Sequence, residues 1–214
     1  MTGTVIVLNG TGSAGKSSIV AALQQISPIP YVNVGIDTFW VHMFPWSWVN
    51  ARTAGVKLTP VDGSAPPKCA WDVQPYGHQF ISGLHHTVAT LAQLGHHLIV
   101  DHAFDHQRWV EECLQIWRNI PVYLVGVRCP LDVLLQRAEA RKAERMDVYP
   151  QIVTWEFDET HRHTRGIYDL EVDTSRLSSI ECARQILWHI EQAPPRAFNQ
   201  LASDGALQDP VQNE

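Results

Sequence analysis

A glycine-rich motif near the start of the chain constrains the fold more than any other feature. Residues 10–17 read GTGSAGKS, which satisfies the phosphate-binding pattern G-x-x-x-x-G-K-[ST]. The apolar run at residues 5–8 has the length and β-branched content of a buried strand. After the motif, apolar residues recur on one helical face until Pro28 ends the pattern. Strand, glycine turn and helix are the context that the motif requires, so the sequence predicts a P-loop.

The residue types in this motif predict a site for ATP. Gly10, Gly12 and Gly15 can adopt positive φ, which lets successive backbone N–H groups face one anion. The helix that follows adds the positive end of its dipole. Lys16 is expected to reach the β- and γ-phosphates, and the Ser17 hydroxyl is expected to bind Mg²⁺. The predicted nucleotide-binding residues are Gly10, Thr11, Gly12, Ser13, Ala14, Gly15, Lys16, Ser17 and Ser18.

Composition and charge limit the classes of partner. The chain has 214 residues, of which 45% are hydrophobic and 18% charged, as expected for a globular α/β domain with a sizeable core. A formal charge of −6 argues against a general binder of nucleic acids or membrane surfaces. The four cysteines are widely spaced, without a C-x-x-C pair, which is typical of reduced thiols. Neither a signal peptide nor a membrane span is evident, so we expect a soluble, cytoplasmic protein.

The order of apolar runs predicts an α/β P-loop NTPase fold. Strands are expected at residues 5–8, 31–36, 97–101, 121–127 and 170–173. Helices are expected after the motif, with an apolar face over residues 19–26, and near residues 78–94, 109–117, 131–145 and 179–191. Strands that alternate with helices form a parallel sheet covered on both faces, here of five strands. Ligands bind such sheets beyond the carboxyl ends of the strands, where we expect residues 10–17, Asp37, Asp101 and Arg128.

Regions outside the predicted sheet suggest how the chain is organised. We expect one domain over residues 1–192, in which 130–165 form a helical lid, and a mobile tail over 193–214 that lacks an apolar period. Residues 38–77 are rich in proline and tryptophan and are expected to cover an acceptor, with Trp40 in its wall. A purely structural minicore under a long connection is the alternative for this segment.

Two aspartates at strand ends are candidates for the chemistry. Phosphoryl transfer to an alcohol needs a group that accepts the hydroxyl proton or orients the oxygen, and Asp37 can do this. Its alternative role is to cap the helix that follows. Asp101 can join the Mg²⁺ shell, bind a substrate hydroxyl or simply support the P-loop. His102 and His106 are four residues apart and could share a metal, but the glutamate of an H-E-x-x-H zinc site is missing. Surface or substrate-contact histidines are the better interpretation, and His102, which follows Asp101, is the predicted substrate contact.

Arginines in the predicted lid share one helical face. Arg137, Arg141 and Arg145 are spaced at i, i+4 and i+8. A guanidinium group that reaches a transferring phosphoryl group accelerates transfer by about 10³–10⁵. Glu139 and Glu144 lie on the same predicted helix, so a solvated charged face is the alternative.

Six stretches, taken together, resemble the chloramphenicol 3-O-phosphotransferase family of small P-loop kinases. They read LNGTGSAGKS (8–17), GID (35–37), GVRC (126–129), YD (168–169), EVDT (171–174) and SIECA (179–183). The resemblance covers about residues 1–192. It implies ATP-dependent phosphorylation of a substrate hydroxyl, with Asp37 as the catalytic base. It also implies lid arginines at or near Arg137 and Arg141, and an acidic residue at Asp101 that ends the third strand.

The chain departs from the family pattern at three places. His102 stands where the family has a second acidic residue, and the lid sequence RKAER at residues 141–145 is one residue longer than the family's. Residues 40–79 show no match, so the resemblance leaves the acceptor open. A role in antibiotic resistance follows if that acceptor is an amphenicol.

We therefore predict an ATP- and Mg²⁺-dependent kinase of a small hydroxylated molecule, with Lys16, Asp37, Arg137 and Arg141 as catalytic residues. A nucleoside or nucleotide kinase of the same fold is one alternative, and a nucleotide-gated binding module without an acceptor is another. The scarcity of basic residues in the segment 38–77 disfavours a nucleotide acceptor. Neither Asn-Lys-x-Asp nor Asp-x-x-Gly occurs, which argues against a GTPase.

Overall fold

The apolar runs predicted as strands pair into one parallel sheet. The computed structural model describes residues 1–43, 55–145, 149–160 and 162–205. The strands are β1 (Val5–Asn9), β2 (Tyr31–Asn33), β3 (Val56–Val61), β4 (Lys68–Val73), β5 (His97–His102), β6 (Val122–Arg128) and β7 (Leu170–Asp173). Five of them form the sheet, in the order β2-β5-β1-β6-β7, with every neighbouring pair parallel. The predicted fold class is confirmed.

Helices cover both faces of this sheet. They are α1 (Lys16–Ile26), α2 (Pro75–Gln93), α3 (Gln107–Ile116), α4 (Leu131–Arg145), α5 (Tyr149–Glu159), α6 (Ser179–Gln192) and α7 (Ala197–Gly205). β1 shows how the sequence specifies two cores, because its side chains alternate between the two faces. Val5 and Val7 are buried against α2, α3 and α7, whereas Ile6 and Leu8 are buried against α1, α4, α5 and α6.

The register of the sheet brings the site residues to one edge. Leu8 of β1 pairs with Asp101 of β5, and Asn9 pairs with both His102 of β5 and Gly126 of β6. The P-loop leaves β1 directly after Asn9, so Asp101 lies beside the start of the loop. Parallel strands thus position the carboxylate and the loop side by side at their shared carboxyl ends.

Residues 38–77 contain regular structure that the sequence did not predict. A six-residue turn of π-helix (Thr38–Met43) follows β2, and β3 and β4 form a separate antiparallel hairpin. Trp71 lies in β4 and packs against the core, while Trp46 and Trp48 lie outside the described residues. Helix α5 was likewise not predicted as a separate element.

The tail differs from the expectation in its first half. Residues 197–205 form α7, and Ala197, Phe198 and Leu201 are buried. The Phe198 ring stacks on the Trp117 ring, with centroids 5.8 Å apart. The expectation that the tail lacks an apolar pattern is therefore wrong for this stretch, since positions i, i+1 and i+4 make one buried helical face. Residues 206–214 lie outside the described part of the chain.

Candidate active site

The P-loop joins β1 to α1 in a conformation that depends on glycine. Gly15 has φ 93° and Ser13 has φ 64°, both in the left-handed region. Gly15 is also the N-cap of α1. Because it has no side chain, it cannot cap the first N–H groups of the helix itself. Those donors and the helix dipole converge on the loop, which is the arrangement that binds phosphate.

Lys16 and Ser17 both reach the end of β5. Lys16 Nζ donates hydrogen bonds to the carbonyl oxygens of Gly10 (2.7 Å) and Thr11 (3.1 Å), and lies 3.6 Å from Asp101 Oδ1. Ser17 Oγ donates to Asp101 Oδ2 at 3.0 Å. The lysine is thus folded over its own loop and the serine is held against a carboxylate. These are the two motif side chains that the sequence assigned to phosphate and Mg²⁺.

Asp101 is buried, and both a positive and a negative side chain act on its carboxyl. Burial raises the pKa of the Asp101 carboxyl; Lys16 opposes this shift, and nearby Asp37 adds to it. The Asp101 carboxylate and the Ser17 hydroxyl that it contacts are oxygen donors, the ligand type that suits Mg²⁺. Within the described ranges, no cluster of three or more His, Cys, Asp or Glu forms a metal site. Mg²⁺ needs no such cluster, since it commonly binds one or two protein oxygens, phosphates and water.

Asp37 lies on an exposed turn just beyond β2. The backbone N–H groups of Thr38 and Phe39 both donate to the Gly35 carbonyl, which closes that turn. A Cβ on Gly35 would lie only 3.1 Å from Asp101 Cβ, so the end of β2 approaches β5 closely there. Asp37 lies within the electrostatic range of Asp101. The sequence did not single out Gly35 for this close approach of the chain to β5.

Arg137 and Arg141 face the opposite side of the P-loop from Asp101. The Arg137 guanidinium donates to the Thr174 carbonyl (2.9 Å), to Thr174 Oγ1 (3.1 Å) and to the Ser13 carbonyl (3.4 Å). Both arginines line a cavity of about 380 Å³ that opens from the loop. Its other lining residues are Ser13, Gly15, Ser18, Ile19, Thr174, Leu177, Ser178 and Ser179. The side chain of Arg145 lies outside the described part of the chain.

The His102 side chain turns away from this edge and into the core. It is fully buried, stacks on Phe104 with ring centroids 4.4 Å apart, and has its Nε2 3.1 Å from His85 Nε2. Burial, and after it the neighbouring His85, holds the pKa of His102 well below its usual value. Direct contact with a substrate is not available to this side chain in the structure. The side chain of Trp40, the other predicted contact, lies outside the described residues.

Helix α5 supplies two residues that sequence reasoning missed. Glu156 Oε2 accepts a hydrogen bond from the Gly12 N–H at 2.6 Å, and Tyr149 OH lies 3.3 Å from Ser13 Oγ. Nearby, Asp105 is buried, and burial followed by the charge of Glu156 raises its pKa well above the usual range. No sequence signal links α5 to the P-loop, because 144 residues separate Gly12 from Glu156.

Comparison with known families decides what kind of P-loop protein this is. The model of a family described as chloramphenicol phosphotransferase-like protein matches residues 3–191. The chain belongs to the chloramphenicol phosphotransferase-like family. A Mycobacterium tuberculosis protein named as a candidate O-phosphotransferase is 27% identical over 204 residues, which cover 93% of this chain and 88% of that protein.

Solved structures share the fold of this family member. The Mycobacterium tuberculosis APS kinase, in complex with AMPPNP and APS, superposes with a TM-score of 0.61 at 16% identity, over 89% of this chain and 98% of the kinase. Shikimate kinase from Acinetobacter baumannii, in complex with shikimate, gives 0.56 at 14% identity, over 89% and 94%. The family member thus has the fold of small P-loop kinases. Among its described residues, no helix is both long and apolar enough to cross a membrane.

Proposed function

We propose that this protein is an ATP-dependent O-phosphotransferase that moves the γ-phosphoryl group of ATP to a hydroxyl group of a small molecule. The observation that supports this most directly is the meeting of Lys16, Ser17 and Asp101, with Asp37 in electrostatic range. A cation, a hydroxyl group and two carboxylates at one edge match the needs of phosphoryl transfer, namely charge neutralisation, metal ligation and a proton acceptor.

The nucleotide half of the proposed site lies on the P-loop. The loop N–H groups and Lys16 hold the phosphates, and the cavity beside Arg137 and Arg141 receives the nucleoside. The two arginines neutralise phosphate charge as the phosphoryl group transfers. Ser17 and Asp101 would hold Mg²⁺, which would supply further neutralisation of phosphate charge.

The acceptor half lies on the side of Asp37. The Asp37 carboxylate is exposed, so an acceptor alcohol can reach it. Asp37 takes the hydroxyl proton while the acceptor oxygen bonds to the γ-phosphorus and the bond to the β–γ bridging oxygen breaks, which releases ADP. The β3–β4 hairpin, which is the described part of the predicted acceptor cover, excludes water from the acceptor, whereas residues 44–54 and the Trp40 side chain lie outside the described part of the chain. The four cysteines are free and buried, which suits a cytoplasmic location.

The test uses labelled ATP with amphenicols, nucleosides and nucleoside monophosphates as separate acceptors. Wild-type protein is expected to form a labelled small product. Asp37→Asn is expected to keep ATP binding and to lower transfer by about 10²–10⁴. Glu191→Gln, at an exposed position near the end of α6 and outside the proposed site, is the matched control and is expected to retain activity.

Three outcomes contradict the proposal. Full transfer by Asp37→Asn removes the base assignment. A product only from nucleoside monophosphates identifies a nucleotide kinase instead. Slow ATP hydrolysis without any phosphorylated small molecule identifies a nucleotide-gated binding module.

A further inference from the structure

A carboxylate of the protein holds one of the donors of the P-loop. Gly12 lies within the phosphate-binding motif, and its N–H donates to Glu156 Oε2 at 2.6 Å. A Cβ on Gly12 would lie 2.8 Å from that oxygen and 3.0 Å from Tyr149 OH, so α5 rests directly on the loop. We propose that Glu156 is a sensor of the γ-phosphate. Its carboxylate releases the Gly12 N–H when ATP binds and keeps that hydrogen bond when ADP binds. This inference rests on the proposed function.

The position of Gly12 identifies the phosphate that competes with Glu156. The loop N–H groups cradle the inner phosphates, and the lysine of the motif reaches the β- and γ-phosphates. Lys16 Nζ contacts the carbonyls of Gly10 and Thr11, directly before Gly12. The terminal phosphate therefore belongs near this part of the loop, where the Glu156 carboxylate already accepts a bond.

Charge makes the two occupants mutually exclusive. A carboxylate and a phosphate are both anions, and they repel each other in a partly buried site. Negative charge is already concentrated at this position. The pKa of the Asp105 carboxyl is raised by burial and by the charges of Glu156 and Glu159. A γ-phosphate adds further negative charge at this position, and Glu156 is the anion that gives up its bond to the Gly12 N–H. ADP lacks that phosphate and leaves the contact intact.

Movement of Glu156 carries the hairpin with it. Asp158, two residues further along α5, forms an ion pair with Lys68 at the start of β4. The same hairpin belongs to the segment 38–77 that we place over the acceptor. Release of Glu156 by a triphosphate therefore shifts the acceptor cover, which ties acceptor access to the presence of a transferable phosphoryl group.

The test compares nucleotide binding by calorimetry with Mg²⁺ present, using AMPPNP as a triphosphate that is not transferred, and ADP. Glu156→Gln removes the charge and is expected to tighten AMPPNP binding by about 10- to 100-fold, with less than about threefold change for ADP. Glu159→Gln is the control. It removes one charge from the same helix, but Glu159 pairs with Arg162 and His163 rather than with the loop.

Hydrogen exchange on wild-type protein gives a second readout that needs no variant. Amides of residues 68–73 and 149–159 are expected to exchange faster with AMPPNP than with ADP. Equal effects of Glu156→Gln on both nucleotides, or equal exchange with both, overturn the sensor. Wild-type protein that binds neither nucleotide overturns the sensor and the proposed function together, whereas binding of both with an unchanged ratio overturns the sensor alone.

Discussion

Among single residues, Asp101 has the contacts on which the functional interpretation of the site depends. It accepts from Ser17, pairs with Lys16 and lies in the field of Asp37. Ser17 and Lys16 come from α1, whereas Asp37 follows β2, so the site depends on how α1 and β2 are placed at the edge of the sheet. Small displacements there should affect chemistry far more than stability, because a misplacement of about 1 Å can cost roughly 10²-fold in rate.

Gly35→Ala tests this sensitivity. The added methyl would lie 3.1 Å from Asp101 Cβ and 3.4 Å from the Asp101 carbonyl oxygen, so the end of β2 must shift. We expect phosphotransfer to fall by about 10- to 100-fold, while the free energy of unfolding falls by less than about 2 kcal/mol. Steady-state kinetics and urea unfolding measure the two effects. Gly83→Ala, whose Cβ meets no atom within 4 Å, is the control; a loss of activity equal to that of Gly35→Ala would contradict the account.

Asp105 predicts a pH dependence of stability. Burial, and after it Glu156, raises the folded-state pKa of Asp105 well above the unfolded value. Between these two values the folded state binds more protons than the unfolded state, so stability falls as pH rises through that window. Asp105→Asn removes the buried ionisation and should stabilise the protein at neutral pH but not at pH values below the unfolded pKa. Thermal unfolding from acid to neutral pH checks this, and an equal shift at every pH would contradict it.

At the scale of elements, the local pattern of apolar residues explains which strands and helices could be predicted from the sequence. The central strands are unbroken apolar runs that lie buried on both faces, so composition alone marks them. The β3–β4 hairpin was not predicted, because its strands are partly exposed and β3 contains Pro60. Glu156 was not predicted for another reason. Its role depends on a contact between α5 and the P-loop, and no local sequence pattern indicates that contact.

Helix α7 predicts a stability effect far from the site. Phe198 is buried and stacks on Trp117, so the helix closes one side of the core. We expect Phe198→Ala to lower the free energy of unfolding by about 3–5 kcal/mol, because it removes a large buried side chain and leaves a cavity. Gln200→Ala, on the exposed face of the same helix, should change it by less than about 0.5 kcal/mol. Urea unfolding measures the free energy of unfolding of both variants. Near-equal free energies would show that α7 does not stabilise the fold.

For the whole molecule, topology converts scattered motifs into one site. Residues 10–17, Asp37 and Asp101 are distant in sequence, and parallel strands align them at one edge. Sequence reasoning could predict this convergence because strand ends follow from apolar runs. It could not predict that Arg137 turns towards Thr174 or that His102 turns into the core, because side-chain direction depends on packing between elements.

The most direct test of the account is calorimetric titration of ATP into the protein with Mg²⁺ present. Wild-type protein is expected to bind one ATP, and Lys16→Ala should bind it about 10- to 100-fold more weakly, because the loop loses its charged donor to the phosphates. Absence of ATP binding by wild-type protein, or equal binding by Lys16→Ala, would contradict the central claim that this P-loop holds the phosphoryl donor.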